Sequence, residues 1–105
     1  MSHKFTAVTL NEADGIRVKL QGELDLAAAG EFRTMMEPLA VDPSTRLTLD
    51  LSELSYIDST GIGILISILK VRHAEQAPFY VENVPPHVQK LFDVTGISKF
   101  LIPQR

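Results

Sequence analysis

The sequence predicts a single α/β domain in which a mixed sheet of four or five strands carries three helices packed on it. Three observations predict it. The length of 105 residues suits one hydrophobic core. Strand-like runs alternate with helix-like runs along the chain, and the strand, helix, strand succession from Arg46 to Val84 calls for a parallel crossover.

Alternation at Phe5, Val8 and Leu10, then at Ile16, Val18 and Leu20, predicts two strands joined by the polar turn Asn11-Glu12-Ala13-Asp14-Gly15. Gly22-Glu23-Leu24-Asp25 ends the second strand. A first helix follows over Leu26 to Leu39, stopped by Pro38 and the Asp42-Pro43 break. Arg46 to Leu51 reads as an interior strand with Leu47, Leu49 and Leu51 on one face, and Ser52 to Asp58 as a loop. Thr60 to Ala74 is the second helix and Pro78 to Val84 the next strand. Pro85-Pro86 opens a third helix whose Val88, Leu91, Phe92 and Thr95 share a face, and Gly96 closes it. Phe100-Leu101-Ile102 is a last strand or tail. No internal repeat or low-complexity linker divides the chain, so residues 1–105 form one domain.

Composition narrows the function classes. The formal charge is −3 and the ten Lys and Arg residues are scattered, without the basic stripe that phosphate backbones require, so no nucleic-acid partner is expected. The absence of cysteine removes disulfides, thiolate metal sites and cysteine nucleophiles. Met1-Ser2-His3-Lys4-Phe5 lacks the apolar stretch of a secretory signal. The run Ile62 to Leu69, broken by Gly63 and Ser67 and followed by Lys70, is too short to span a bilayer. A cytoplasmic protein with no direct membrane insertion is the expectation.

Asp58-Ser59-Thr60-Gly61-Ile62-Gly63 is the chemically informative stretch, because it sits where a loop feeds a helix. Two glycines there cost roughly 1 kcal/mol each against alanine, so the backbone is bare for a reason. Close packing of the turn and close approach by a partner are equally good reasons. Asp58 and Ser59 both suit the N-cap. On a helical wheel Ile62, Leu65, Ile66 and Leu69 form one apolar face, and Ile64, Ile68 and Val71 widen it past half the circumference. The expectation drawn from that width is that the stripe near Ile64 and Ile68 is exposed for a partner, with burial under neighbouring helices as the alternative. A serine at a helix N-terminus also makes a sensible switch. A phosphate adds about −1.5 to −2 charge, which the helix dipole tolerates and an apolar docking surface does not.

The run from Leu49 to Gly63, with Asp58-Ser59-Thr60-Gly61-Ile62-Gly63 at its core, resembles the signature of bacterial anti-anti-sigma factors of the STAS class. Gly22-Glu23-Leu24-Asp25 resembles the family's turn after its second strand, and Val88 to Ile97 its third helix. The resemblance implies that Ser59 is the serine phosphorylated by an anti-sigma factor that is itself an ATP-dependent serine kinase with a histidine-kinase-like ATPase fold. It implies that the unphosphorylated form binds that kinase and frees a sigma factor, and that a PP2C-type phosphatase restores it. Asp58, Thr60 and Gly61 match the immediate surroundings of the serine; Asp25 matches a nearby acidic residue and is equally well read as an N-cap. With Ile62, Gly63, Ile64 and Ile68 they make up the expected partner-binding set. The family's final helix is missing from a chain that stops at Pro103-Gln104-Arg105, which leaves a homodimer open.

Other classes fit less well. A nucleophile elbow needs glycine two residues before the serine, and Ile57 stands there. His3, His73 and His87 share no ligand spacing, so neither a catalytic triad nor a metal site is expected. Gly61 and Gly63 lack the third glycine and the lysine of a phosphate cradle, so no cofactor is expected and the chain is not read as an enzyme. Within the same fold, the alternative is a stressosome component or a soluble subunit of a membrane transport complex.

Overall fold

The computed structural model describes residues 5–97. Its elements are β1 (Thr6–Glu12), β2 (Gly15–Leu24), α1 (Leu26–Ala40), β3 (Arg46–Ile57), α2 (Ser59–Ala74), β4 (Phe79–Glu82) and α3 (Pro86–Thr95). The sheet is four-stranded in the order β1-β2-β3-β4, with β1 antiparallel to β2 and both β2–β3 and β3–β4 parallel. This is the mixed α/β architecture expected. The strand or tail at Phe100-Leu101-Ile102, and the chain end where a final helix would begin, lie outside the described residues.

The strand period of two sorts the side chains into two faces. Val18 and Leu20 of β2, Leu47, Leu49 and Leu51 of β3, and Phe79 and Val81 of β4 are buried on one face. There they join Ala28, Phe32 and Met36 of α1, Leu65, Ile68 and Leu69 of α2, and Val88 and Phe92 of α3 in one core. Each fully buried Leu, Ile or Phe contributes about 1.5–3 kcal/mol. Among the described residues the other face carries no helix. On it Arg17 bonds Glu12 at 2.8 Å and Glu82 at 2.9 Å, with Asp50 at 3.5 Å. Arg46 lies 4.2 Å over the Tyr80 ring. Thr48 is flanked in register by Arg17 and Tyr80, and this explains why a polar residue on the helix-free face is buried.

The structure departs from the sequence expectation in β4, which runs over Phe79–Glu82 rather than Pro78 to Val84, and in β3, α1 and α3. The segment Ser52 to Asp58 is no loop: β3 continues to Ile57. Register shifts lie between Lys19 and Gln21 and between Gly22 and Glu23 on the neighbouring strand, and Gly22 holds φ +88° there. The shifts advance the phase, so that Leu51, Leu54 and Ile57 all point inward at a spacing of three that simple alternation misses. Pro38 sits inside the last turn of α1 rather than ending it. In α3 only Val88 and Phe92 of the expected face are buried, while Leu91 and Thr95 are exposed, and Gly96 closes the helix at φ +82°.

The far end of α2 is held by Arg72, which is fully buried. Its guanidinium donates to the carbonyls of Leu39, Ala40 and Asp42 at 3.2, 3.3 and 2.8 Å, to that of Thr45, and to that of Pro78 at 2.6 Å. One cation thereby ties the end of α1, the turn after it and the entry to β4. Burial pushes its pKa down, and the Asp42 charge partly offsets this.

Candidate functional site

Parallel pairing brings the C-terminal ends of β2 and β3 side by side, with Leu24 in register with Ile57. Each strand then turns directly into a helix, so the N-termini of α1 and α2 open on the same end of the sheet, where α/β folds place their sites. Asp25 is the N-cap of α1, and its carboxylate accepts from the Ala28 N–H at 3.1 Å. Asp58 is the N-cap of α2 and accepts from the Gly61 N–H at 3.0 Å through Oδ1. Its second oxygen accepts from the Leu26 N–H at 3.1 Å, 32 residues away. One carboxylate thus satisfies orphan amides of both helices. The Asp58 N–H in turn donates to the Leu24 carbonyl at 3.3 Å.

Ser59 is the first residue of α2 and is exposed; its hydroxyl holds no partner among the described residues. Thr60 beside it is half-buried. Ser55, four residues earlier, is engaged through a 3.0 Å bond from its hydroxyl to the Gly22 carbonyl. The ion pairs of Arg17 and Arg46 begin at the opposite end of the parallel strands. Asp58, which precedes Ser59 in the chain, and Asp25, the cap of the neighbouring helix, are half-buried.

The two glycines have different causes. A Cβ on Gly61 would stand 2.7 Å from the Leu24 carbonyl oxygen and 2.8 Å from Ile57 Cγ1, so α2 can seat against the end of β2 only without a side chain there. A Cβ on Gly63 would meet nothing within 4 Å, and the residue is exposed. Internal packing accounts for the first glycine and leaves the second unexplained.

The expectation that Ile64 and Ile68 lie exposed is corrected. They are 2% and 5% exposed, and Ile62 is 6%. The reason is that α2 lies on the sheet with α1 packed alongside, and Ile64 and Ile68 fall on the flank that faces Met36 and Ala40 of α1. What α2 leaves open is the stripe Ser59, Gly63, Ser67 and Lys70, with His73 and Ala74 at its far end. Two exposed apolar residues escaped the sequence reading: Leu26, 74% exposed at the start of α1, and Tyr56, 48% exposed just before Asp58. Apolar side chains read as core in a sequence. Here the signal was their position, one and two residues from the N-caps Asp25 and Asp58.

Comparison with known proteins agrees with this arrangement. The family model described as Mlab, STAS domain, matches residues 8–103. The chain is 29% identical over 93 residues to an anti-sigma-B factor antagonist of Staphylococcus epidermidis, an alignment spanning 89% of this chain and 86% of that one. Its fold matches an anti-sigma factor antagonist from Mycobacterium paratuberculosis with a TM-score of 0.84 at 22% identity, over 93% of this chain and 83% of that one. It also matches the phosphorylated form of the Bacillus cell fate determinant SpoIIAA, with a TM-score of 0.72 at 19% identity over 97% and 92% of the two chains. A continuous match that takes in β2 through α3, and with them both N-caps and Ser59, shows that the chain belongs to the STAS domain family.

Proposed function

We propose that this chain is an anti-sigma factor antagonist that works in the cytoplasm, and that the surface around Ser59 docks on an anti-sigma factor serine kinase. The observation that carries the reading is a free, exposed hydroxyl at the start of α2, where the N-termini of two helices meet. The docking face comprises Ser59, the half-buried Thr60, Asp58 and Asp25, the bare backbone at Gly63, and the exposed Leu26 and Tyr56. Gly61, Ile62, Ile64 and Ile68 act from beneath: they seat α2 and fix where Ser59 stands.

Phosphorylation moves the γ-phosphoryl group of ATP to Ser59 Oγ, with ADP leaving and the hydroxyl proton released. The positive ends of the helix dipoles accommodate the new charge, so the fold survives. Docking does not. A dianion beside Asp58 must be stripped of water against the partner, and none of the ion-paired arginines lies at this end to neutralise it. A PP2C-type phosphatase reverses the step. The described residues hold no helix long and apolar enough to cross a membrane.

The test is an assay with the cognate kinase and ATP. One phosphate is expected on the wild type and none on Ser59→Ala, which should stay bound to the kinase. Ser59→Asp should lose binding while keeping its thermal midpoint. Phosphate on Thr60 or Ser55 would refute the assignment.

A further inference from the structure

Among the described residues the sheet has β1 and β4 as its two edges. β4 is four residues long, whereas β1 runs for seven and all but Ala7 of it is exposed. The hairpin closes on the Glu12–Gly15 pair, with Ala13 and Asp14 between, and the register is continuous back to Thr6. In such a ladder the backbone groups of Thr6, Val8, Leu10 and Glu12 face β2, and those of Ala7, Thr9 and Asn11 face outward. Edge strands are ordinarily blunted by lysine, proline or a bulge. β1 has none of these, and its Val8 and Leu10 stand 42% and 44% exposed on the helix-free face.

We propose that β1 pairs antiparallel with β1 of a second copy, about a two-fold axis at Thr9, joining the two sheets edge to edge. The strand is complementary to itself in that register, which uses all seven of its residues. Thr9 faces Thr9 of the partner subunit, and Ala7 faces Asn11 of the partner subunit, through the outward backbone groups. Val8 falls opposite Leu10 of the partner subunit in the closer, non-hydrogen-bonded pairs, so the four exposed apolar side chains cover one another. The strand's one charge, Glu12, falls opposite Thr6 of the partner subunit, and it is already bound to Arg17 at 2.8 Å, so no like charges meet. Strand pairing alone buries well under the ~1,200 Å² of a standard interface, which makes the dimer weak and concentration-dependent. It uses the edge of the sheet and leaves the Ser59 end open, so it stands whether or not Ser59 is a switch.

Sedimentation equilibrium tests it. The weight-average mass of the wild type should rise with concentration from 11.6 kDa toward twice that value. Thr9→Pro removes an outward N–H and none that faces β2, and it should hold the mass at 11.6 kDa. Thr9→Cys places a lone thiol on the axis, where paired Cα atoms about 5.5 Å apart are within disulfide reach, and should oxidise to a covalent dimer. If Thr9→Pro loses its far-UV dichroism, Leu10→Lys takes its place with the same readout. A wild type that stays at 11.6 kDa throughout, or a dimer that survives the folded blocking variant, overturns the proposal.

Discussion

Replacing Gly61 and Gly63 separately by alanine tests the docking surface most sharply, because the same chemical change meets two different environments. In a helix interior, Gly→Ala gains about 1 kcal/mol from backbone entropy and propensity. At Gly63 nothing lies within 4 Å of the new methyl, so the whole gain is kept. The thermal midpoint of the free protein should rise by roughly 4 °C or more for a domain of this size. At Gly61 the methyl arrives 2.7 Å from the Leu24 carbonyl oxygen, which also accepts from the Asp58 N–H. Overpacking against backbone costs about 1–3 kcal/mol, which outweighs the propensity gain and should lower the midpoint by several degrees. Thermal unfolding followed at 222 nm, together with calorimetric titration of the cognate anti-sigma kinase, reads both effects. Gly63→Ala should be the more stable protein and the poorer binder, weaker by about tenfold, or 1.4 kcal/mol. A Gly63→Ala that binds as tightly as the wild type would refute close approach at this face, and a Gly61→Ala that melts no lower would refute the packing argument.

Three other outcomes are expected. Asp58→Ala strands the amides of both Gly61 and Leu26, and should cost about 2 kcal/mol in a urea titration, against about 1 kcal/mol for Asp25→Ala, which strands one. Burial pushes the Asp50 carboxyl up, but hydrogen bonds from Ser52 and Asn83 and the Arg17 charge outweigh it and hold Asp50 below its ordinary 3.8. Its contribution is therefore present above pH 3.8 and lost as the pH falls through the lower folded value, so Asp50→Asn should flatten the acid limb of a stability profile below pH 3.8. Arg72→Met leaves five carbonyl groups without their donor, and should lower stability by about 3 kcal/mol or more in the same titration, with kinase binding intact at temperatures where the variant is folded.

Element order, the helix start at Asp58-Ser59, the closure at Gly96 and the place of Ser59 were legible in the sequence, because each depends on neighbours a few residues away. The choice of Asp58 over Ser59 as the cap of α2, and of the cap role for Asp25, came from the structure. The second half of β3 was not legible, since its register shifts change the phase of the burial pattern and are made jointly with β2. A helical wheel shows that α2 is apolar most of the way round, but how many flanks are covered is decided by α1, and Ile64 and Ile68 turned out to be core. The Asp58 to Leu26 bond spans 32 residues and the Arg72 carbonyl clamp 27 to 33 where it reaches α1 and the turn beyond it, distances at which local pattern carries no information. An arginine in a helix reads as solvated. Its burial follows from three chain segments ending around the same point.

The shared carboxylate of Asp58 also fixes which motions are coupled. Freeing the Leu26 amide and freeing the Gly61 amide both require the same side chain to let go, so in hydrogen exchange these two protons should report a single opening event with one rate and one free energy. Whatever bends or recruits that carboxylate at the tip of one helix is then registered at the tip of the other.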